Sequence, residues 1–428
     1  MVNKITLDNG VRIVHEHLDH LRSCALGIWV ESGSRHEPEE LCGISHFIEH
    51  MLFKGTEKRT AAQLAADFDA IGGQSNAFTT KEHTCYYCRT LGEYLPQAAE
   101  LLCDMYFNST FEQSQVDLER SVIIEEIGMY EDTPDDLVNE ELFGAIYDGY
   151  KLGRPILGTK ESLAGIDGKT LKRYHDENYT PENTIVSLCG SYTDDDIKEL
   201  IELFSKMPRR KAPVIEESHY QKAFTLKNKD IEQNHLMLAF PGIAVGDDMR
   251  YDVQVMTAIL GGGMSSRLFQ QVRERNGLCY TIYSFRTSYI GTGVLSIYVA
   301  LSRDAELKAI ALIKDVIKDM LENGVTEDEV RRTVTQLKSN LLMGLESTTS
   351  RMNVIAQNEF AYGRAVSEDE VIAGFDAVTP ESVLAAARRL LDFDAMSFSA
   401  VGKVRDAEEY KKVLLTDTDR TKNNTVFK

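Results

Sequence analysis

The sequence predicts an α+β protein made of two similar halves, each a mostly antiparallel sheet packed with helices. Strand-like segments at 5–7, 11–15, 25–30 and 294–300 follow one another in runs, and the Asp-Asn-Gly turn at 8–10 is typical of a hairpin. Helical segments come in groups and do not alternate strictly with the strands, which favours this class over a doubly wound parallel sheet. The same order of elements returns after about 210 residues, as expected of an internal duplication.

One break in composition divides the 428 residues near their midpoint. The stretch 207–213 (MPRRKAP) combines two prolines with a basic cluster, and such a stretch interrupts both helix and sheet. It predicts a linker at 208–218 between an N-terminal domain at 1–207 and a C-terminal domain of similar fold at 219–428. Residue identity between the halves is weak, so the predicted duplication rests on the order of the elements.

The composition is that of a globular protein with a sizeable core and an acidic surface. Apolar residues make up 43% of the chain and charged residues 27%, which excludes disorder as the main state. The formal charge of −20 argues against a nucleic-acid partner, because phosphate binding needs a basic surface. The longest apolar run, 24–30, is too short to span a bilayer, and residues 1–6 lack the apolar core of a signal peptide. We therefore expect a cytoplasmic protein that does not act at a membrane.

Seven cysteines are spread through the chain, and an odd, dispersed set predicts reduced thiols in place of a disulfide framework. Cys85 and Cys88 form a single CxxC in a segment, 84–89, that reads as a strand. Residues three apart in a strand face opposite sides of the sheet and cannot close on one metal ion. We expect no metal or redox role for this pair.

The strongest chemical signal is a His-x-x-Glu-His motif in the stretch 43–53 (GISHFIEHMLF). Two imidazoles one helical turn apart can hold one zinc ion, and Glu49 beside them is placed to take a proton from an attacking water. This arrangement is the inverted zinc-protease motif. The alternative is a pair of ordinary surface histidines on a solvated helix face. A helical reading gives an apolar stripe and an opposite polar face: Leu41, Ile44, Ile48 and Met51 against His46, Glu49, His50 and Phe53.

A third ligand is expected from another element, since two histidines and a glutamate recur in catalytic zinc sites. The segment 119–127 (ERSVIIEEI) predicts a helix in which Glu119 and Glu126, two turns apart, share a face with Val122 and Ile123. A carboxylate among apolar neighbours without a partner is costly, which favours contact with a cation or a histidine N–H. Two solvent-facing acids are the alternative, and the pattern alone does not choose between the two glutamates.

These motifs support a family resemblance that covers nearly the whole chain. In the family's third ligand position, 76 residues beyond the second histidine, this chain has Glu126. The resemblance thus implies one zinc ion per chain held by His46, His50 and Glu126, with Glu49 as general base and Glu119 supporting a ligand histidine. The chain resembles the pitrilysin/insulinase zinc peptidases, and most closely their processing-peptidase branch, in four stretches: 43–56 (GISHFIEHMLFKGT), 74–87 (QSNAFTTKEHTCYY), 119–126 (ERSVIIEE) and 261–280 (GGGMSSRLFQQVRERNGLCY).

The resemblance also implies a substrate site. Asn76 and Ala77 match positions on an edge strand beside the zinc, where an extended peptide pairs by β-augmentation. Arg273 and Tyr280 match an Arg and a Tyr that hold the substrate backbone or the tetrahedral intermediate from the second half. Without the resemblance, these residues would be read as ordinary structural positions. The glycines at 261–263 lack the rest of a phosphate-binding motif and predict a flexible turn, which the resemblance places along the substrate chamber.

Together these features predict a zinc-dependent endopeptidase or oligopeptidase that hydrolyses extended peptides or unfolded proteins inside a closed chamber. The last histidine is His235, so the second half cannot repeat the zinc site and is expected to enclose substrate. The processing-peptidase branch works as paired chains, which implies a homodimer in which Arg273 and Tyr280 complete the partner's site. The alternative is a non-catalytic peptide-binding or scaffold subunit of such a complex, and it is disfavoured because the metal motif is complete.

Overall fold

The computed structural model describes residues 2–415, which form mixed helical and sheet structure in two compact units. The α+β prediction is therefore confirmed. The end of the predicted C-terminal domain, 416–428, lies outside the described residues. The first unit is made of three segments, and so is the described part of the second: 2–129, 149–217 and 340–368, then 130–148, 218–339 and 369–415.

The strands of the described chain fall into two groups, one in each half. They are β1 Val2–Thr6, β2 Arg12–His17, β3 Ser23–Val30, β4 Gln74–Thr79, β5 Thr84–Leu91, β6 Thr184–Gly190, β7 Phe224–Asn228, β8 Asn234–Pro241, β9 Cys279–Tyr289, β10 Thr292–Leu301 and β11 Ser397–Gly402.

The helices lie between and after these strands. They are α1 Ile44–Leu52, α2 Ala61–Ala70, α3 Leu95–Asn108, α4 Gln113–Asp132, α5 Pro134–Ile146, α6 Lys160–Ala164, α7 Gly168–Asn178, α8 Asp194–Ser205, α9 Arg250–Gly261, α10 Glu306–Asn323, α11 Glu327–Gly344, α12 Thr348–Tyr362, α13 Glu368–Asp376, α14 Pro380–Leu390 and α15 Ala407–Leu415. A π-helical segment occupies Phe269–Glu274, and several single 3₁₀ turns complete the described structure.

The two sheets repeat one strand order. In the first unit the order is β1-β2-β6-β3-β5-β4, and in the second it is β7-β11-β8-β10-β9. β2 pairs with β6 in parallel, as β7 does with β11, and the remaining equivalent pairs are antiparallel in both sheets. Apart from the additional β1, the strands correspond one to one. This agreement in topology supports the duplication that the order of elements predicted.

The predicted hairpin at the N-terminus is present between β1 and β2. Their register pairs Thr6 with Arg12, and the turn closes where the amide of Gly10 donates to the carbonyl of Leu7 at 2.9 Å. A second backbone bond, from the amide of Leu7 to the carbonyl of Val11, measures 2.8 Å. The Asp-Asn-Gly sequence is thus used as a turn between paired strands, as expected.

Both faces of the first sheet are covered. One face packs on the main core of the unit, to which Cys88 belongs, and the other packs on a cluster that includes Cys85, Trp29 and Met352. The central strand β3 is almost entirely buried for this reason. Cys85 and Cys88 lie on opposite sides of the sheet, as their spacing predicted.

Each of the two sheets is covered by a helix that comes from the other half of the sequence. α12 belongs to the first unit and packs on β6 and β3, whereas α5 belongs to the second unit and packs on β11 and β8. The units therefore differ from the continuous domains 1–207 and 219–428 expected from the sequence. The physical reason is that β6 and β11 are buried along their whole length, so each sheet needs a helix on its second face.

The predicted linker is irregular backbone that lies along the first unit. Arg209 donates to the carbonyl of Asp8 at 2.6 Å, and Arg35 donates to the carbonyl of Glu216 at 2.7 Å. These contacts explain why residues up to 217 belong to the first unit. Among residues 2–415, none of the helices combines the length and the apolar character that crossing a membrane requires.

Candidate metal centre

The helix α1 carries the His-x-x-Glu-His motif, and its start is fixed by a buried carboxylate. Glu37 accepts hydrogen bonds from the amides of Gly43 at 2.7 Å and Ser45 at 2.8 Å. Burial raises the pKa of Glu37 to about 7, although these amide bonds oppose the rise. Gly43 has φ 91°, and a Cβ there would lie 2.7 Å from the Cα of Gly158, so only glycine fits. The helix therefore begins at a defined position just before His46.

The two faces of α1 follow in part the periodicity of its sequence. Ile44, Ile48 and Met51 are buried in the core of the first unit. The rings of His46 and His50 lie on the other side, with their centroids 4.6 Å apart. The prediction of one apolar stripe and one chemical face is thus confirmed for these positions. It is wrong for Leu41, which precedes α1, and for Phe53, which packs against the apolar core because the helix ends before it.

The structure brings His46, His50 and Glu126 together. Oε2 of Glu126, on α4, lies 3.6 Å from Nε2 of His46 and 3.5 Å from Nε2 of His50. Ligands at about 2.1 Å from a tetrahedral zinc ion are separated by roughly 3.4 Å, so each histidine nitrogen lies from Glu126 at about the distance that a zinc site requires. Among residues 2–415, this is the one group of three or more His, Cys, Asp or Glu residues whose donor atoms converge in this way.

The side chains are electrostatically suited to a cation. Burial, together with the neighbouring His50, lowers the pKa of His46 to about 4, so that its ring is neutral at pH 7. Burial also opposes charge on His50, but hydrogen bonds with Glu126 and Glu119 raise its pKa above the usual value. The hydrogen bond with His50 lowers the pKa of Glu126. The group therefore offers an ionised carboxylate and a neutral imidazole, and a bound cation would replace the proton on His50.

Glu119 orients one of the histidines. Its side chain is mostly buried, and Nδ1 of His50 donates to its Oε2 at 3.1 Å, which leaves Nε2 directed at Glu126. Lys54 lies 2.7 Å from the other oxygen of Glu119. Sequence reasoning missed Lys54, although its position four residues after His50 was a usable signal. The predicted face of α4 is partly wrong, because Val122 is exposed while Ile123, like Glu119, is buried.

Glu49 is anchored from the neighbouring sheet. The hydroxyl of Thr79 donates to its Oε2 at 2.5 Å. Burial raises the pKa of Glu49, and the hydrogen bond from Thr79 together with the nearby His50 works against that rise. Thr79 was not singled out from the sequence. The available signal was the two-residue period of a strand, which puts Thr79 on the same face of β4 as Ala77.

The predicted substrate residues of the first half lie on an edge strand. Within the described part of the chain, β4 is the last strand of its sheet and pairs with β5 alone. Ala77 packs against the main core, which includes α1, whereas Asn76 is exposed and its side-chain oxygen accepts a bond from the amide of Ala77 at 2.8 Å. The free edge of β4 therefore lies next to the helix that carries the motif.

Arg273 and Tyr280 lie in the second unit, so their predicted role at the metal site stays a prediction. The guanidinium of Arg273 lies over the ring of Tyr280, 4.7 Å from its centroid, and Tyr280 is 74% exposed. In the glycine run, a Cβ at Gly261 would lie 2.5 Å from the amide nitrogen of Ser284. Close packing of α9 on β9, and not flexibility alone, therefore requires glycine at this position.

Comparison with known proteins shows the family of the chain. Residues 12–160 match the family described as insulinase (peptidase family M16), and residues 165–337 match the peptidase M16 inactive domain. An uncharacterized zinc protease of Bacillus subtilis is 42% identical over 395 residues, which are 92% of this chain and 97% of that protein. The chain belongs to the insulinase family. An uncharacterized zinc protease of Streptomyces coelicolor is 36% identical over 95% of this chain and 91% of that protein.

Solved structures show that the fold of this M16 protein is shared widely. A peptidase M16 inactive domain from Pseudomonas fluorescens superposes with a TM-score of 0.89 at 21% identity, covering 94% of this chain and 98% of the other. A protease from Helicobacter pylori gives 0.86 at 19% identity, covering 94% and 99%. These structures show the fold alone. The family match and the bacterial zinc proteases confirm the prediction of a zinc metallopeptidase of the pitrilysin/insulinase family.

Proposed function

We propose that this M16 protein is a zinc-dependent endopeptidase or oligopeptidase that hydrolyses extended peptides or unfolded proteins. The observation that carries the proposal is the convergence of Nε2 of His46, Nε2 of His50 and Oε2 of Glu126, with the half-buried carboxylate of Glu49 close enough to interact electrostatically with His50 and Glu126. Three ligands and an adjacent carboxylate are what hydrolysis by an activated water requires.

One zinc ion per chain would be held by His46, His50 and Glu126, and the names of the bacterial relatives support this choice of metal. When bound, the ion polarises the scissile carbonyl and makes water more acidic. The chain's own part is to present the neutral imidazole of His46, the imidazole of His50, whose Nε2 proton the cation would replace, and an ionised carboxylate. Glu119 contributes by holding the proton of His50 on Nδ1, so that Nε2 is the ligand atom.

Glu49 acts as the general base and then as the general acid. Its carboxylate takes a proton from the attacking water and later delivers a proton to the nitrogen of the leaving amine. Burial of the carboxyl supports this role, because a pKa raised towards neutrality suits a group that must both accept and donate a proton near pH 7.

The substrate backbone would pair with the free edge of β4, at Asn76 and Ala77. A strand with one unpaired edge is a ready template for an extended peptide, and β4 is such a strand beside α1. Asn76 is exposed and lies on the face of β4 opposite to Ala77, so its proposed part is to hold the backbone of the paired peptide.

The remaining parts of the proposal concern assembly and surroundings. They comprise a closed reaction chamber, a homodimer in which Arg273 and Tyr280 complete a site, and action in the cytoplasm on peptides. The exposure of Tyr280 and the cation–π contact with Arg273 support a role for these side chains outside their own core. Sedimentation of the active protein tests the dimer, since activity confined to monomer would contradict it.

A non-catalytic peptide-holding or scaffold subunit is the second candidate. The match of residues 165–337 to a domain described as inactive is the observation that favours it. That match lies outside the segment that carries the metal motif, so it fits equally well with one catalytic and one enclosing half. Turnover decides between the candidates.

The decisive experiment compares zinc content and cleavage of a quenched peptide library for wild type, Glu49→Gln and the control Glu40→Gln. Glu40 is an exposed acid just before α1, so its replacement tests charge without touching the site. We expect about one zinc per chain in all three proteins, with turnover lost only in Glu49→Gln. Cleavage by zinc-loaded, uncontaminated Glu49→Gln would exclude the proposed mechanism. Zinc without turnover in wild type would favour the scaffold candidate.

A further inference from the structure

We propose that the Thr79 hydroxyl is a positioning group for the general base, holding Oε2 of Glu49 so that Oε1 is the oxygen that meets the attacking water. This inference rests on the proposed peptidase function. It gives a role to a residue that the metal motif does not contain, and it links the base to the strand on which substrate is proposed to bind.

The contact is short and its direction is determined. Thr79 Oγ1 donates to Oε2 of Glu49 at 2.5 Å, a distance typical of a hydroxyl bonded to a carboxylate. The hydroxyl of Thr84 lies 3.5 Å from that of Thr79, but Thr84 donates its own proton to the carbonyl of Ser32 at 2.8 Å. The proton of Thr79 is therefore available to Glu49 and is not needed by its neighbour.

The support behind Thr79 is rigid. Thr79 and Thr84 are directly paired residues of β4 and β5, and Thr84 is completely buried. The carboxylate of Glu49 is bonded to a residue whose backbone is fixed by strand pairing. It therefore has fewer side-chain conformations to lose when the reaction begins. Loss of the bond would leave Glu49 attached to the protein only through its own flexible side chain.

The same strand carries the proposed substrate edge. Thr79 follows Ala77 by two residues, so both side chains point to the face on which α1 packs. A peptide that pairs with β4 and the base Glu49, which is bonded to Thr79 of β4, are both positioned by this strand. The strand would therefore fix the distance between the scissile carbonyl and Glu49. Thr79 thus affects the geometry of the reaction without touching the peptide.

The consequence is a loss of turnover without a comparable loss of binding. Misplacement of a reacting group by about 1 Å can lower a rate 100-fold, so we expect Thr79→Val to lower kcat by about 10- to 100-fold. KM should change less than about threefold, because an interaction that acts only in the transition state affects kcat. Thr79→Ser retains the hydroxyl and should restore most of the turnover.

The test measures kcat and KM on a quenched peptide, zinc affinity against a competing chelator, and the melting temperature for these variants. Thr90→Val is the matched control. It removes a hydroxyl from β5 that donates to the carbonyl of Ile71 at 3.0 Å and makes no bond to Glu49. We expect zinc affinity within about threefold of wild type in Thr79→Val and near-normal kcat in Thr90→Val.

Two results would overturn the proposal: wild-type kcat in Thr79→Val, or equal losses of kcat in Thr79→Val and Thr79→Ser with unchanged melting temperatures. If Thr79→Val does not fold, the Ser variant and Thr79→Ala carry the same comparison. An inactive, zinc-loaded wild type would instead contradict the peptidase function itself, so the two failures are distinguishable.

Discussion

The packing of α12 on the first sheet makes Met352→Ala the most informative single change to the fold. Met352 is completely buried, and truncation of such a side chain to alanine costs about 2–5 kcal/mol through lost burial and the cavity that remains. Its Sδ also accepts a bond from Nε1 of Trp29 at 3.4 Å, and an indole N–H left unpaired adds about 1 kcal/mol. We expect the free energy of unfolding of the first unit to fall by about 4 kcal/mol.

The assay follows the fluorescence of Trp29 during urea unfolding. Trp29 is the single tryptophan of the chain and is 1% exposed, so its emission reports on the first unit alone. Met343→Ala, at a side chain that is 60% exposed, is the control and should shift the midpoint little. Equal midpoints for Met352→Ala and wild type would refute the view that a helix from the C-terminal half completes the first unit.

Two further predictions concern the support of α1 and of its ligands. Lys54→Met should weaken zinc binding by roughly 10-fold in a chelator competition, because Glu119 then loses the cation that holds its second oxygen. Lys58→Met, at an exposed lysine, is the control. Equal zinc affinities of Lys54→Met and wild type would contradict the role of Lys54. For Glu37, whose pKa burial raises to about 7, the carboxyl is fully stabilising below its unfolded pKa of about 4.5, and that contribution is lost as pH rises towards 7. The stability of wild type relative to Glu37→Gln should therefore fall between pH 4.5 and 7, by at most about 3 kcal/mol, and a flat difference in urea unfolding would contradict the shift.

Local pattern was sufficient for the elements that carry the site. The 3.6-residue period of Ile44, Ile48 and Met51 predicts both the helix α1 and the side on which His46 and His50 lie. A helix is similarly readable in α4, but there the period overestimates the apolar face, because helix surfaces tolerate exposed apolar residues such as Val122.

The contacts around the site were less accessible. Periodicity did not choose between Glu119 and Glu126 as the ligand, and only the family spacing did so. The bonds from Thr79 to Glu49 and from Lys54 to Glu119 join residues that are distant in sequence but adjacent in the folded first unit. No local rule predicts such pairs, because they depend on how α1, α4 and β4 pack together.

The sequence by itself determined the α+β class, the duplicated order of elements and the helix that presents the metal motif. These features follow from periods of two and 3.6 residues, which act over a few neighbouring positions. Only the tertiary structure decided that α12 covers the first sheet and α5 the second. Burial of apolar surface has no direction along the chain, so an amphipathic helix is stable on any sheet face that it fits, and chain connectivity and packing make the choice.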